Sequence, residues 1–208
     1  MFMANMGIIT EGLTSMARYP APHTTSRRRD VLAFMAWMPV IVGAAGVTAC
    51  STTAPKGVEV VTGFDVQRYG GLWYEIARLD HSFERGLSNV TARYGLQADG
   101  SITVTNRGFN LAKQKWSEAQ GIAKFIGPAD RGSLKVSFFG PFYGGYHVVA
   151  LDPSYQWSMV MGPDTDYLWI LSRKPELPPG IKDQLIVKAR SLGIETDKLI
   201  WVDHAPKG

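Results

Sequence analysis

The sequence predicts an all-β chain: an eight-stranded antiparallel up-and-down barrel with one C-terminal α-helix packed outside. Three observations predict it. Between Val58 and Arg173, short apolar-rich runs are broken by turn signals such as Asp99-Gly100, Gly127-Pro128, Gly140-Pro141, Asp152-Pro153 and Gly162-Pro163. Eight such runs joined by short connections favour closure, because a closed barrel leaves no unpaired edge. One apolar stripe at helical spacing then follows the last run.

The predicted strands are Trp73–Leu79, Asn89–Leu96, Ser101–Phe109, Ser117–Ile126, Ser133–Phe139, Gly145–Leu151, Ser158–Met161 and Tyr167–Ser172. Each is rich in β-branched and aromatic residues, which suit a pleated, half-buried surface. Pro178-Pro179-Gly180 opens the helix. Ile181, Leu185, Ala189 and Leu192 form its stripe, and Gly193 is placed as its stop. Lys198–Asp203 reads as a short final strand. Asp80–Asn89 is a long first connection; Phe83 and Leu87 are candidates for a hydrophobic lip, with His81, Glu84 and Arg85 solvated beside them.

Composition narrows the function. Of 208 residues, 45% are hydrophobic and 19% charged, which is globular. The net charge of +4 is carried in part by Arg18, Arg27, Arg28 and Arg29, against Glu11 and Asp30. The remainder holds 18 of the 22 basic and 16 of the 18 acidic residues, scattered without a stripe. That excludes a nucleic-acid surface. Six Trp, eight Tyr and nine Phe supply either an aromatic core or an aromatic pocket wall. His81, His147 and His204 show no metal-ligand spacing, no G-x-S-x-G occurs, and no cofactor is implied.

The first fifty residues read as an address. Arg27–Arg29 precede an apolar run, Val31 to Val47, and then small residues. Val47-Thr48-Ala49-Cys50 resembles a bacterial lipobox. The resemblance implies cleavage after Ala49 and acylation at Cys50, the only cysteine. Several acyl chains anchor a protein stably where one would be marginal. Ser51 after the cysteine favours, by resemblance, the outer membrane. Arg28-Arg29-Asp30-Val31-Leu32 also looks like a twin-arginine signal, which leaves the export route open. The organisation is thus an export signal over 1–49, a lipidated Cys50 with a polar tether to residue 57, and a domain over 58–208.

Three motifs then occur in order. Gly71-Leu72-Trp73 precedes the first strand, Thr165-Asp166-Tyr167 precedes the last barrel strand, and Arg173 ends it. With "YGGLWYEIARLDHSFERG", "KVSFFGPFYGGYHVVALD" and "DYLWILSR", they resemble the lipocalins, in particular the bacterial outer-membrane and apolipoprotein D-like members. Gly63 and Ile170 depart from that pattern without touching the fold. The resemblance implies that Trp73 plugs the closed end with the Arg173 guanidinium across its ring, a contact of about 0.5–2 kcal/mol. It also implies a membrane-held binder of fatty acid or lysophospholipid, serving lipid storage, transport or membrane repair under stress. A lipid-directed enzyme on the same fold is the alternative, and homodimerisation stays open.

Strand side chains alternate in and out. From Arg173, Leu171, Trp169 and Tyr167 face the interior; from Trp73, so do Glu75 and Ala77. Phe142, Tyr143 and Tyr146 are further wall candidates, with the two tyrosines offering hydroxyls to a head group. A buried carboxylate needs a partner, so Glu75 either pairs with an Arg such as Arg93 or Arg107, the favoured reading, or meets a ligand head group.

Overall fold

The structure, a computed structural model, describes residues 51–205. It is built from α1 (Val66–Tyr69), β1 (Gly71–Arg78), β2 (Leu87–Leu96), β3 (Ile102–Asn110), β4 (Lys115–Phe125), β5 (Ser133–Phe139), β6 (Phe142–Leu151), β7 (Trp157–Met161), β8 (Leu168–Ser172), α2 (Ile181–Ser191) and β9 (Ile200–Trp201). Neighbours in sequence pair antiparallel from β1 through β8, and β8 returns to pair with β1. The barrel therefore closes. β5 has the bounds its sequence predicts, and most others differ by one to three residues at an end. α1 is too short for periodicity to reveal; Asp65 caps it by accepting from the Gln67 and Arg68 amides at 2.9 and 3.3 Å.

Two apolar layers follow from strand alternation. One fills the barrel and includes Phe64, Trp73, Ala92, Val104, Ala123, Val148 and Leu171. The other lies between barrel and helix, where Leu185 and Ala189 of α2 pack with Met159, Met161, Leu168 and Ile170. Gly193 ends the helix at φ 81°, and the Ile194 amide reaches back to the Ala189 carbonyl at 3.1 Å.

Two irregularities shape the functional end. In β1 the register against β8 slips between Glu75 and Ala77. A bulge puts two successive residues on one face, so Ile76 and Ala77 both join the outer layer. β2 pairs with β1 only over Gly71–Tyr74, and β9 takes up β1 at Ala77 and Arg78 instead. In β4, pairing to β5 stops at Ile122, so Lys115–Gly121 has a neighbour only on the β3 side.

The chain ahead of α1 runs along the barrel, and it includes Thr52 of the polar segment read as a tether. Thr62 bridges Arg131, and the Val61 amide donates to the Val148 carbonyl at 2.9 Å, near the closed end. Further up β6, a Cβ on Gly145 would stand 3.3 Å from the Thr52 carbonyl. The N-terminal segment thus climbs the outer wall of β6 toward the open end. His147 lies beneath it, fully buried, with Nδ1 3.0 Å from the Ser133 hydroxyl. Cys50, the export signal and their motifs lie outside the described residues.

Candidate functional site

The barrel interior is layered from its closed end. Trp73 is fully buried, and its indole N–H donates to the Tyr69 carbonyl at 2.7 Å. The Arg173 guanidinium carbon lies 3.9 Å from the Trp73 ring centroid. Its three nitrogens donate to the Leu72, Arg68 and Tyr155 carbonyls at 2.8, 2.7 and 3.2 Å. Gly71 lies beside that guanidinium at φ 87°, a left-handed backbone conformation that favours glycine.

Above this floor stands a chain of hydroxyls. Ser158 meets Tyr69 at 3.1 Å, Tyr69 meets Tyr146 at 2.8 Å, and Tyr146 meets Tyr94 at 2.9 Å. Burial pushes the Tyr69 pKa up to about 12 and those of Tyr94 and Tyr146 well above the ordinary phenol value. The hydroxyls stay neutral and can redirect their protons toward whatever polar atom enters.

The uppermost layer is charged. Arg78 donates to Glu75 Oε1 at 2.7 Å and to the Glu84 and Leu87 carbonyls at 2.9 and 3.3 Å. Glu84 accepts from the Trp169 indole N–H at 3.0 Å and lies 4.0 Å from Arg78 Nε. All three charged side chains are buried. Burial, then the neighbouring Glu84 charge, raise the Glu75 pKa to about 8 against the pull of Arg78. Burial also raises that of Glu84, opposed by the Trp169 hydrogen bond and Arg78. Two carboxylates thus share one guanidinium, and one proton relieves the excess charge. Over them His81 stacks on Tyr167 and Phe83, at centroid distances of 4.5 and 5.3 Å. Burial and the Arg78 charge lower its pKa.

Several sequence expectations are redirected. Leu171, Trp169 and Tyr146 face the interior, and Tyr167 sits at its mouth. Ala77 does not, because the bulge turns it into the layer beneath α2. Glu75 is paired with Arg78, not Arg93 or Arg107: the same bulge brings Arg78 to the inner face. Arg107 instead lies outside, 3.9 Å over the Trp116 ring, and Arg93 shares that outward parity through its Thr105 partner. Tyr143 faces outward against Lys135, 4.8 Å from its ammonium. Phe142 sits past the last inner row at the β5–β6 tip, 69% exposed. His81 and Glu84 are buried rather than solvated, since the first connection folds into the mouth. Thr165 and Asp166 lie exposed in the β7–β8 connection, where Asp164 accepts from the Asp166 amide at 2.9 Å. Sequence reasoning missed Arg78 and Glu84; a Glu and an Arg three apart in a strand break strict alternation, which was the available signal for Arg78.

A cavity of about 430 Å³ opens on the outer side of the seam where β4 leaves β5, lined in part by Thr105, Gly121, Phe138 and Tyr143. Among the described residues, no three His, Cys, Asp or Glu side chains are placed to hold a metal. No described helix is long and apolar enough to cross a membrane.

Residues 64–204 match the family model for the lipocalin-like domain. The chain is a lipocalin. It is 55% identical to the outer membrane lipoprotein Blc of Citrobacter freundii over 75% of this chain and 89% of that one. It is 50% identical to the Blc of Escherichia coli K12, over 82% and 98%. Identity this high over nearly the whole of those chains places this lipocalin with the outer-membrane lipoproteins. Insecticyanin of the tobacco hornworm Manduca sexta shares the fold, with a TM-score of 0.59 at 23% identity over 73% of this chain and 86% of that one. Lipocalins bind small hydrophobic molecules, and the layered barrel of this one is consistent with that use.

Proposed function

We propose that this lipocalin is held in the outer membrane by an acylated Cys50 and carries a fatty acid or lysophospholipid in its barrel, in membrane maintenance under stress. It acts as a carrier, not an enzyme. One observation supports this most: the polar cluster of Glu75, Arg78, Glu84 and Trp169 lies at the open end, over an interior of aromatic and aliphatic side chains. That order, polar near the mouth and apolar below, matches a ligand whose head group remains near the opening while its chain enters the barrel. Tyr69, Tyr94 and Tyr146 offer hydroxyls midway. Trp169, Tyr167, Leu171 and Tyr146 are the candidate contacts, with Glu75 acting through Arg78.

The test is titration of the protein, stripped of co-purifying lipid, with fatty acids and lysophospholipids, followed by tryptophan fluorescence. Saturable binding at micromolar ligand is expected. A folded protein that binds neither class would overturn the carrier reading.

A further inference from the structure

The connections β1–β2, β3–β4, β5–β6 and β7–β8 gather at the open end of the barrel, and the large exposed apolar side chains concentrate there. Phe139 is 81% exposed, Phe142 69%, Leu111 47% and Trp116 39%. They belong to the β3–β4 and β5–β6 connections and the strand ends beside them, which are adjacent around the barrel. Exposed phenylalanines at hairpin tips are costly in water and mark a contact surface.

Charge and the path of the chain identify the contact. Lys113 and Lys115 are the charged residues between Asn110 and Ser117, and Ser137–Gly145 carries no charge. The acidic pair Asp164 and Asp166 belongs to the β7–β8 connection, which flanks β5–β6 on the side opposite the two lysines. The N-terminal segment climbs β6 toward the same end, with Thr52 at Gly145, three residues along β6 from Phe142. Fifty residues precede Ser51, and they include the segment read as carrying the anchor.

We propose that the open end of the barrel docks on the bilayer that holds the chain's own anchor: Leu111, Trp116, Phe139 and Phe142 enter the interface, and Lys113 and Lys115 meet anionic head groups. This rests on the lipoprotein reading. Amphipathic surfaces of this kind bury their apolar side chains at the boundary of head groups and acyl chains. The mouth then opens into the lipid, and the seam between β4 and β5 faces it, so a ligand exchanges without crossing water.

The test uses the mature lipoprotein reconstituted in vesicles of phosphatidylethanolamine and phosphatidylglycerol. Nitroxides are placed in Phe139→Cys, Leu111→Cys and, at the closed end, Ala129→Cys. The mass of each labelled protein shows whether Cys50 carries acyl chains, which judges the anchor separately. Docking predicts a ratio of oxygen to nickel-chelate accessibility several-fold higher at 139 and 111 than at 129. It also predicts that Lys113→Glu and Lys115→Glu each weaken docking about fivefold. Phe139→Ser with Phe142→Ser should lower the ratio at 111 to that at 129. An acylated protein with equal ratios at all three sites overturns the proposal. So does spin–spin broadening between labels at 139, which would show a second copy covering this edge. If Cys50 is unmodified, the anchor reading fails, and the ratio at 139 in a Cys50→Ser background under saturating vesicles still decides docking by the rim.

Discussion

Arg78 and Glu75 meet at 2.7 Å inside the barrel although they lie three positions apart along one strand. In a regular strand they would face opposite sides. The bulge in β1 reconciles them. It also leaves Ile76 and Ala77 for the layer under α2, so one local irregularity serves both the interior and the helix contact.

The charge imbalance of that interior makes stability depend on pH. Glu75 titrates near 8 in the folded chain against an ordinary 4.5, so the folded state holds its proton more tightly. Its contribution is fully present below about 4.5 and is lost as pH rises through 8. Glu75→Gln keeps an acceptor for Arg78 and removes the titration. The variant should match the parent at pH 4 and melt higher at pH 9. Thermal melts across that range check it; parallel curves would mean that Glu75 does not titrate there.

The floor gives a stability prediction. Trp73→Ala should cost about 3–5 kcal/mol, as large aromatic core truncations do. Arg173→Ala should cost less, because its side chain is partly exposed. The two stack at 3.9 Å, and contacting residues are non-additive, so a double-mutant cycle in denaturant should show coupling. Strict additivity would separate them energetically.

Much of this was legible in the sequence. Turn dipeptides and alternation define the eight barrel strands, and the stripe from Ile181 to Leu192 defines the helix. The inward placement of Trp169 and Leu171 follows from parity with Arg173, because β8 is regular. The same rule fails for Ala77, since a bulge has no signature in a hydrophobic pattern. Glu84 and His81 were illegible for another reason. They sit in a connection whose burial depends on side chains from β1 and β8, and contacts of that kind leave no period to read.

Anchoring is tested at Cys50. Cys50→Ser removes the sulfur that would take the diacylglyceryl group. Uncleaved precursor without acyl label is the expected product in cells fed labelled palmitate. Label retained by the variant, with outer-membrane fractionation, would mean that attachment lies elsewhere.

Ligand affinity should also follow the interior charge. Below pH 8 Glu75 is protonated, and Arg78 is shared between Glu84 and an incoming polar group. Above it, a second carboxylate charge stands in the same buried cluster, with Trp169, Tyr94 and the low-pKa His81 around it adding no positive charge. A fatty acid is an anion throughout that range. Its affinity should therefore fall between pH 7 and pH 9, while that of zwitterionic lysophosphatidylethanolamine changes less. Trp169 is the reporter, because its indole N–H is held by Glu84 at 3.0 Å and its ring faces the interior. Trp169→Phe should remove most of the ligand-induced fluorescence change while the fold persists. In Glu75→Gln the affinity for fatty acid should lose its dependence on pH across this window. Longer chains should bind more tightly, toward a limit of about 0.8 kcal/mol per buried methylene. Titrations at three pH values decide it: equal affinities for the anion at pH 7 and pH 9 would show that its carboxylate never approaches the Glu75–Arg78 pair.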